Sequence, residues 1–221
     1  MGERIKIEYK QFANSLLRWF KQNKRNFQWR EKENPYEVLI AEILLRKTDA
    51  SKVTKVYDVF LKKYPDPERL ATAPLKEIED VLKPIGLYKR RAKELKCLAK
   101  ILIDKYDGKV PDSKEELEKL PGVGEYIANA VLCFAYGKSV PIVDTNLIRI
   151  LDRVFGVRST KSRPRMDKEL WQFAEKILPK KEAKNFNLAI LDFAALVCTA
   201  KKPKCQNCPI RELCRTFRGG T

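Results

Sequence analysis

Leu120-Pro121-Gly122-Val123-Gly124 is the segment from which the architecture of this chain follows. It separates two stretches with helical apolar periodicity, so it predicts a short hairpin between helices. Glycines at alternate positions permit positive φ angles and let a ligand approach the backbone closely. A helix beginning at Glu125 would point its first amide groups outward, where they can hold a phosphate group. The alternative is a plain connector.

Helical periodicity extends outward from this hairpin in both directions and predicts an all-α protein. Residues 88–106 form a long amphipathic helix before the hairpin, and helices over 125–136 and 145–155 follow it. Asp49 and the Asp66-Pro67 pair are predicted to begin two more helices. The remaining predicted helices cover residues 5–20, 35–46, 75–83, 113–119, 165–178 and 181–198.

The charge balance points to a polyanionic partner. The chain carries 46 Lys and Arg against 29 Asp and Glu, a formal net charge of +17. Nucleic acid is the usual partner of such a chain, and the alternative is a basic but inert surface. The chain has no histidine, which excludes Ser-His-Asp and Cys-His catalysis and the His-Cys-Cys deaminase site.

No segment predicts export or membrane insertion. The first ten residues lack an apolar core of the kind that signal peptides have. The longest apolar stretch, residues 128–136, is too short to span a bilayer. We therefore expect a cytoplasmic, nucleoid-associated protein that does not bind membranes.

Four of the six cysteines form a C-x6-C-x2-C-x5-C pattern near the C-terminus. These are Cys198, Cys205, Cys208 and Cys214. Four thiolates at this spacing can surround one metal centre, and spacing alone does not separate zinc from an iron–sulfur cluster. The other two, Cys97 and Cys133, lie within apolar helices and are predicted to be core residues.

Three lysines, Lys201, Lys202 and Lys204, lie between the first two cysteines of this pattern. A metal centre that fixes this loop would present three ammonium groups on a rigid turn, which suits contact with phosphates. The alternative is a solvated run of charge.

Two carboxylates are candidates for chemistry. Asp144, in Val143-Asp144-Thr145, can cap the following helix or act in catalysis. Glu42 shares a helical stripe with Val38 and Leu45, so we expect an apolar environment, a raised pKa and a role as proton donor. The alternative for Glu42 is a surface position.

The hairpin, the aspartate and the cysteine spacing together resemble the helix-hairpin-helix DNA glycosylases that carry a [4Fe-4S] cluster. This superfamily includes endonuclease III and the adenine glycosylases. The resemblance covers nearly the whole chain. Further matching segments are Trp29-Arg30, Pro35-Tyr36-Glu37, Ile85-Gly86-Leu87-Tyr88 and Arg91-Ala92.

This resemblance implies two helical lobes with a DNA-binding cleft between them. Residues 30–138 would form a six-helix barrel that contains the hairpin, and residues 1–29 with 139–221 the cluster lobe. Asp144 would be the catalytic aspartate, and Gly122, Val123 and Gly124 would bind a DNA phosphate. The four spaced cysteines would hold the [4Fe-4S] cluster.

Departures from the family pattern set the expected activity. Tyr126 stands where glycosylases with lyase activity have a lysine, and a phenol cannot form a Schiff base. We therefore expect a monofunctional enzyme that leaves an abasic site. Tyr126 would instead shape the base pocket or donate a hydrogen bond.

The positions that distinguish adenine glycosylases favour a pyrimidine substrate here. Glu42 matches their catalytic glutamate, yet Arg46-Lys47 replaces the Gln-Gln pair that follows it. Leu188 stands where adenine glycosylases have a pocket glutamine, and Ala50 stands where they have a larger apolar residue. We expect no counterpart of the extra C-terminal domain of those enzymes. These features are similar to those of archaeal thymine mismatch glycosylases.

We accordingly expect a monomeric enzyme that removes thymine or uracil opposite guanine from double-stranded DNA in base excision repair. A mispaired base is easier to extrude from the helix, and Leu87, Arg46 and Lys47 are candidates to fill the gap. An ionised Asp144 would stabilise the sugar cation, and Glu42 would transfer a proton. The alternatives are an adenine glycosylase of G·A mispairs and a non-catalytic DNA-binding protein.

Overall fold

The computed structural model describes residues 2–219 and the side chains of residues 6–219. No strand occurs in this described part, in agreement with the predicted all-α class. The α-helices are α1 (Gly2–Asn23), α2 (Pro35–Leu45), α3 (Ala50–Lys63), α4 (Pro67–Thr72), α5 (Leu75–Leu82), α6 (Tyr88–Tyr106), α7 (Lys114–Glu118), α8 (Glu125–Phe134), α9 (Thr145–Phe155), α10 (Lys168–Ile177) and α11 (Ala183–Leu196).

The chain divides into two compact units. One is the continuous segment Asn26–Tyr136, and the other combines Met1–Arg25 with Gly137–Thr221. Among residues 2–219, no helix is long and apolar enough to cross a membrane.

In the continuous unit, α6 is the longest helix. It packs against α4 and α5, while α2 packs against α3 and α8, and α7 lies on α8. Short polar side chains begin several of these helices. Asn34 accepts from the amides of Tyr36 and Glu37, and Asp66 accepts from the amide of Arg69. Such caps satisfy amides that have no partner within the helix.

In the second unit, α1 packs against α10 and α11, and α9 packs against α11. Aromatic side chains fill this core. The ring of Tyr9 meets those of Phe155 and Phe173 edge-on, at centroid distances of 5.6 and 5.3 Å. Phe12 contacts Phe155 and Phe186 in the same manner. The first helix of the chain is therefore held by residues from its last third.

The helix predictions were confirmed at residues 88–106 and 145–155, where both ends match. Other ends differ by a few residues. The helix predicted over 165–178 is α10, which starts at Lys168 and is preceded by a 3-10 turn over Pro164–Met166. The helix predicted over 181–198 is α11, which ends at Leu196, two residues before the first cysteine of the cluster pattern.

Candidate functional site

The two hairpin glycines have different backbone conformations. Gly122 has a φ of +76°, the left-handed conformation that glycine tolerates best. Gly124 has an extended backbone at φ −115° and begins α8, where no side chain of the described residues caps the helix. A Cβ on Gly124 would meet no atom within 4 Å. The amide end of α8 is therefore open to a ligand, and only one of the two glycines needs a positive φ.

An arginine braces this hairpin from within the same unit. Arg46 follows α2 and its Nη1 donates to the carbonyl oxygen of Gly122 at 3.0 Å. Its Nη2 forms an ion pair with Glu94 on α6. Burial raises the pKa of Glu94, but hydrogen bonds from Arg46 and Arg90 outweigh it and leave that pKa below its usual range. Arg46 therefore ties the hairpin to α6.

A second arginine, Arg91, holds the loop that carries Arg46. Its side chain is 1% exposed and donates to the carbonyl oxygens of Leu44 and Arg46, at 3.0 and 2.8 Å. It also donates to Oγ1 of Thr48 at 3.1 Å. These three acceptors lie around the turn between α2 and α3, so one buried guanidinium holds that turn in place through three hydrogen bonds.

The candidates for the residue that fills the gap in DNA include two with unusual backbones. Lys47 has φ 56° and Leu87 has φ 52°, a conformation that is uncommon for residues other than glycine. Both are exposed, Leu87 to 59%. Strained, exposed side chains of this kind cluster at functional sites. The guanidinium of Arg46, the third candidate, is committed to Gly122 and Glu94.

Glu42 lies inside the continuous unit, on α2. It is 6% exposed and its neighbours Ala41 and Ile43 are buried. The structure therefore excludes a surface position for Glu42, and its role as a proton donor stays a prediction. Tyr126 is the second residue of α8 and is half-buried, and Ala50, the first residue of α3, is also half-buried.

Asp144 begins α9 in the second unit and is held by three hydrogen bonds. Its Oδ1 accepts from the amides of Asn146 and Leu147, both at 2.8 Å. Its Oδ2 accepts from Nδ2 of Asn146 at 2.6 Å. Burial raises the pKa of this carboxyl, while those bonds and the charge of Arg165 act to lower it. Asp144 is thus both a helix cap and a half-buried carboxylate of fixed orientation.

Hydrogen bonds connect Asp144 to the first cysteine of the metal pattern. Oδ1 of Asn146 accepts from Nη2 of Arg149 at 3.2 Å. Arg149 also donates through Nε to the carbonyl oxygen of Cys198 at 3.0 Å, and through Nη2 to that of Ala194 at 3.2 Å. Leu188, the predicted pocket residue, is 7% exposed on α11.

The four spaced cysteines lie around one cavity in the second unit. The cavity has a volume of about 260 Å³ and is lined by all four, with Arg153, Val154 and Phe193. Burial raises the pKa of the Cys208 thiol to about 11, and charges on the other three thiols act in the same direction. All four sulfurs are therefore near one another, as a shared inorganic group requires.

A basic side chain lies beside the first cysteine of the pattern. Nη1 of Arg153 lies 3.4 Å from Sγ of Cys198, so a positive charge and a hydrogen-bond donor stand beside a ligand sulfur. Hydrogen bonds of this kind orient the ligands of a metal centre.

The loop between Cys198 and Cys205 is fixed at both ends. Arg153 donates to the carbonyl oxygens of Thr199 and Ala200 at 2.7 and 2.8 Å. The amide of Lys204 donates to the carbonyl oxygen of Val197 at 2.9 Å. The three lysines of this loop, Lys201, Lys202 and Lys204, are all exposed.

One prediction about the remaining cysteines was wrong. Cys133 is buried, 1% exposed, as predicted, but Cys97 is exposed. The buried side of α6 is formed by Leu95, Leu98, Ala99 and Leu102. Residue 97 falls on the opposite side of that helix because successive helical residues are about 100° apart.

The family of the chain follows from this combination of hairpin, aspartate and cysteine loop. The chain belongs to the HhH-GPD superfamily of base excision DNA repair proteins, whose model matches residues 40–176. Residues 198–214 match the iron–sulfur binding domain of endonuclease III, so this loop is an iron–sulfur binding segment.

Individual relatives cover almost the full length. A thymine/uracil-DNA glycosylase of Pyrobaculum aerophilum is 42% identical over 207 residues, which is 92% of this chain and 90% of the relative. A thymine-DNA glycosylase of Aeropyrum pernix is 45% identical over 202 residues, 90% of this chain and 91% of that one. The solved structure of a thermostable thymine-DNA glycosylase superposes with a TM-score of 0.91 at 40% identity, covering 96% of this chain and 97% of that one.

Sequence reasoning missed four residues that the structure brings into these sites. Asn146 holds Asp144, Arg149 holds Asn146, Arg91 holds the turn after α2, and Arg165 lies near Asp144. Asn146 and Arg149 are three residues apart on α9, a spacing that places both on one helix face. Nothing local in the sequence marks Arg91 as buried.

Proposed function

We propose that this protein is a DNA glycosylase that removes thymine or uracil opposite guanine from double-stranded DNA. The observation that carries the proposal is the carboxylate of Asp144, oriented by two amides and by Asn146 at the start of α9. The names of the relatives at 42% and 45% identity support the choice of base.

Asp144 would act on the sugar of the extruded nucleotide. As the bond between C1′ and N1 of the pyrimidine breaks, its electron pair leaves with the base and positive charge builds on the sugar. An ionised carboxylate stabilises that charge. Water then adds its oxygen to C1′ and releases one proton, and the departing base takes up one proton. The product is an abasic site.

Glu42 and Tyr126 are proposed to serve the base. Glu42, buried on α2, is suited to hold a proton for the base or for water. Tyr126 would shape the pocket or donate a hydrogen bond through its phenol. Because a phenol cannot form an imine with C1′, we propose that strand cleavage does not follow base release. Ala50 and Leu188 would contribute apolar walls that suit a pyrimidine.

DNA would be held mainly through phosphates. The open amides at Gly124 and the turn at Gly122 and Val123 suit one phosphate group. Lys201, Lys202 and Lys204 suit further phosphates, and the exposed Leu87 and Lys47 suit the gap that the extruded base leaves. The braced Arg46 would support the hairpin. We propose that the protein acts as a monomer.

The cluster is proposed to be [4Fe-4S], held by Cys198, Cys205, Cys208 and Cys214. Its contribution would be structural, since it would cross-link the loop that carries the three lysines. The four thiols around one cavity and the match of residues 198–214 to the iron–sulfur binding domain of endonuclease III support an iron–sulfur cluster over a zinc ion. Iron and acid-labile sulfide analysis of the purified protein tests this assignment.

The proposed function is tested by a panel of duplexes with G·T, G·U, G·A and A·T pairs, assayed for abasic sites under single-turnover conditions. We expect release of thymine and uracil opposite guanine and no release from A·T. Base release from G·A alone would replace the proposal with an adenine glycosylase. Tight binding without any base release would reduce the protein to a DNA-binding module.

A further inference from the structure

A loop in the second unit carries basic side chains that have no assigned role. Residues 157–167 connect α9 to α10 and contain Arg158, Lys161, Arg163 and Arg165. Arg158 forms an ion pair with Asp152, and Lys161 lies 3.6 Å from a carboxylate oxygen of Asp167. Within residues 6–219, no carboxylate forms a salt bridge with Arg163 or Arg165. Two of the four cations thus form ion pairs and two do not.

The two arginines that form no salt bridge, Arg163 and Arg165, line a cavity beside Thr145, the residue that follows Asp144. This cavity has a volume of about 520 Å³. Its other lining residues are Thr145, Ile148, Arg149, Asp152, Pro164 and Met166. Thr145 directly follows Asp144, and the charge of Arg165 is close enough to lower the pKa of that carboxyl. Arg158 and Lys161, the two paired cations, do not line the cavity.

The arginines are presented by a rigid turn. Pro164–Met166 forms a 3-10 turn, and Nε1 of Trp171 donates to the carbonyl oxygen of Arg165 at 2.8 Å. The buried Asp167 accepts from Oγ of Ser159 and from the amide of Glu169. A cation on a fixed backbone loses less conformational freedom when it binds an anion. Met166, 67% exposed, adds an apolar side chain to the lining of the same cavity.

We propose that Arg163 and Arg165 bind a phosphodiester group of the damaged strand next to the extruded nucleotide, a contact that rests on the proposed function. A guanidinium matches a phosphate with two parallel hydrogen bonds. Met166 and Ile148 offer apolar contact to the adjoining deoxyribose. Because the phosphate carries no base identity, this contact strengthens binding of G·T and G·U duplexes equally.

The test measures how the affinity of the cluster-containing protein depends on salt. The ligand is a duplex with a tetrahydrofuran abasic-site analogue opposite guanine, titrated over a series of KCl concentrations. Each phosphate contact contributes about 0.9 to the slope of log K against log salt. We expect Arg163→Gln and Arg165→Gln each to lower the slope by about that amount, and the double variant by about twice as much. Arg165→Lys keeps the charge and should keep most of the slope.

Lys176→Gln is the matched control. Lys176 is an exposed cation on α10 that does not line the cavity, so its removal lowers the net charge equally without removing the contact. Equal slopes for Arg163→Gln, Arg165→Gln and Lys176→Gln would overturn the proposal, because the affinity for DNA would then depend only on the net charge of the protein. An equal effect on a lesion-free duplex would also overturn it, because the contact would not depend on an extruded nucleotide.

The result of the salt titration is independent of the result of the mismatch panel. Affinity for the abasic analogue requires no turnover, so the slopes are measured whether or not thymine is released. If no thymine or uracil is released from the mismatch panel but both arginine variants have reduced slopes, the substrate assignment is wrong and the phosphate contact is supported. If the wild type releases thymine but the slopes are unchanged, the substrate assignment is supported and the phosphate contact is wrong.

Discussion

Asn146 donates two hydrogen bonds to Asp144, from its backbone amide to Oδ1 at 2.8 Å and from Nδ2 to Oδ2 at 2.6 Å. Both carboxylate oxygens are therefore engaged by one residue two positions along the chain. The arrangement fixes the rotation of the carboxylate group and adds to the bond from the amide of Leu147.

Asp144→Asn should abolish most turnover while leaving the fold and DNA affinity nearly unchanged. Asparagine caps helices about as well as aspartate, so the start of α9 is preserved. The negative charge that would stabilise the sugar is lost, which should lower the single-turnover rate about 10²–10³-fold. Asp66→Asn, at the N-cap of α4, is the control and should retain full activity. A variant as active as wild type would remove Asp144 from catalysis.

Asn146→Ala should shift the acidic limb of the pH–rate profile to higher pH. Burial already raises the pKa of Asp144, and the Asn146 side chain opposes this. Activity requires the ionised form and is lost as the pH falls through the pKa of Asp144. Removing a bond to that form raises the pKa further, so activity disappears at a higher pH. Arg165 and Arg149, the nearby cations, remain in place.

The control for this shift is Asn185→Ala, which removes a similar amide-to-carboxylate bond, from Asn185 to Glu182 at 2.8 Å. Its profile should match that of the wild type. Identical acidic limbs in the Asn146 and Asn185 variants would mean that Asp144 does not set the profile.

Tyr126→Lys should introduce strand cleavage. A lysine amine at this position of α8 can attack C1′ and form an imine, which leads to elimination of the 3′ phosphate. Nicked product without alkali, and a covalent complex trapped by borohydride, are the measurements. Tyr126→Phe has no amine and should show neither. Equal strand cleavage by the wild type with and without alkali would contradict the monofunctional assignment.

Arg91→Lys should destabilise the protein although the charge is kept. The buried guanidinium donates to three acceptors around the turn after α2, and an ammonium group cannot reach all three. We expect a loss of about 2 kcal/mol in the free energy of unfolding, measured by urea denaturation. Arg90→Lys, at an exposed neighbouring position, is the control and should change the free energy of unfolding by less than about 0.5 kcal/mol. Similar effects of both would show that the buried bonds contribute little.

Cys208→Ser should lower the iron content and the visible absorbance of the protein, whereas Cys97→Ser should change neither. Cys208 is close to the other three thiols of the cluster pattern, and Cys97 is an exposed residue of α6. The pair therefore tests ligand identity with the same atomic substitution. Loss of iron from both variants would point to general destabilisation.

Much of the fold could be predicted because its signals are local. The long helix at Tyr88–Tyr106 follows from apolar periodicity, and the helix after Asp144 follows from periodicity and a capping side chain. Both matched residue for residue. The turn at Gly122 follows from the glycine itself. Cys97 was misplaced because an apolar helix also has a solvent side, and one position on it is hard to assign without the neighbours.

The connections between distant segments could not be predicted. Arg46 and Gly122 are 76 residues apart, and Arg149 reaches Cys198 across 49 residues. A long, flexible cation can satisfy its charge in many places, and only the packed fold selects one. In the same way, the sequence does not show that Arg158 pairs with Asp152 whereas Arg163 and Arg165 line a cavity, because the difference depends on what the fold places next to each arginine.

The packing of α1 against α10 and α11 has a consequence for biosynthesis. The segment Asn26–Tyr136 is continuous and can acquire its core soon after it leaves the ribosome. The first helix, by contrast, emerges early, yet the aromatic residues that cover Tyr9 and Phe12 lie at Phe155, Phe173 and Phe186. Its apolar face must therefore stay exposed, or be shielded by a chaperone, until translation is almost complete.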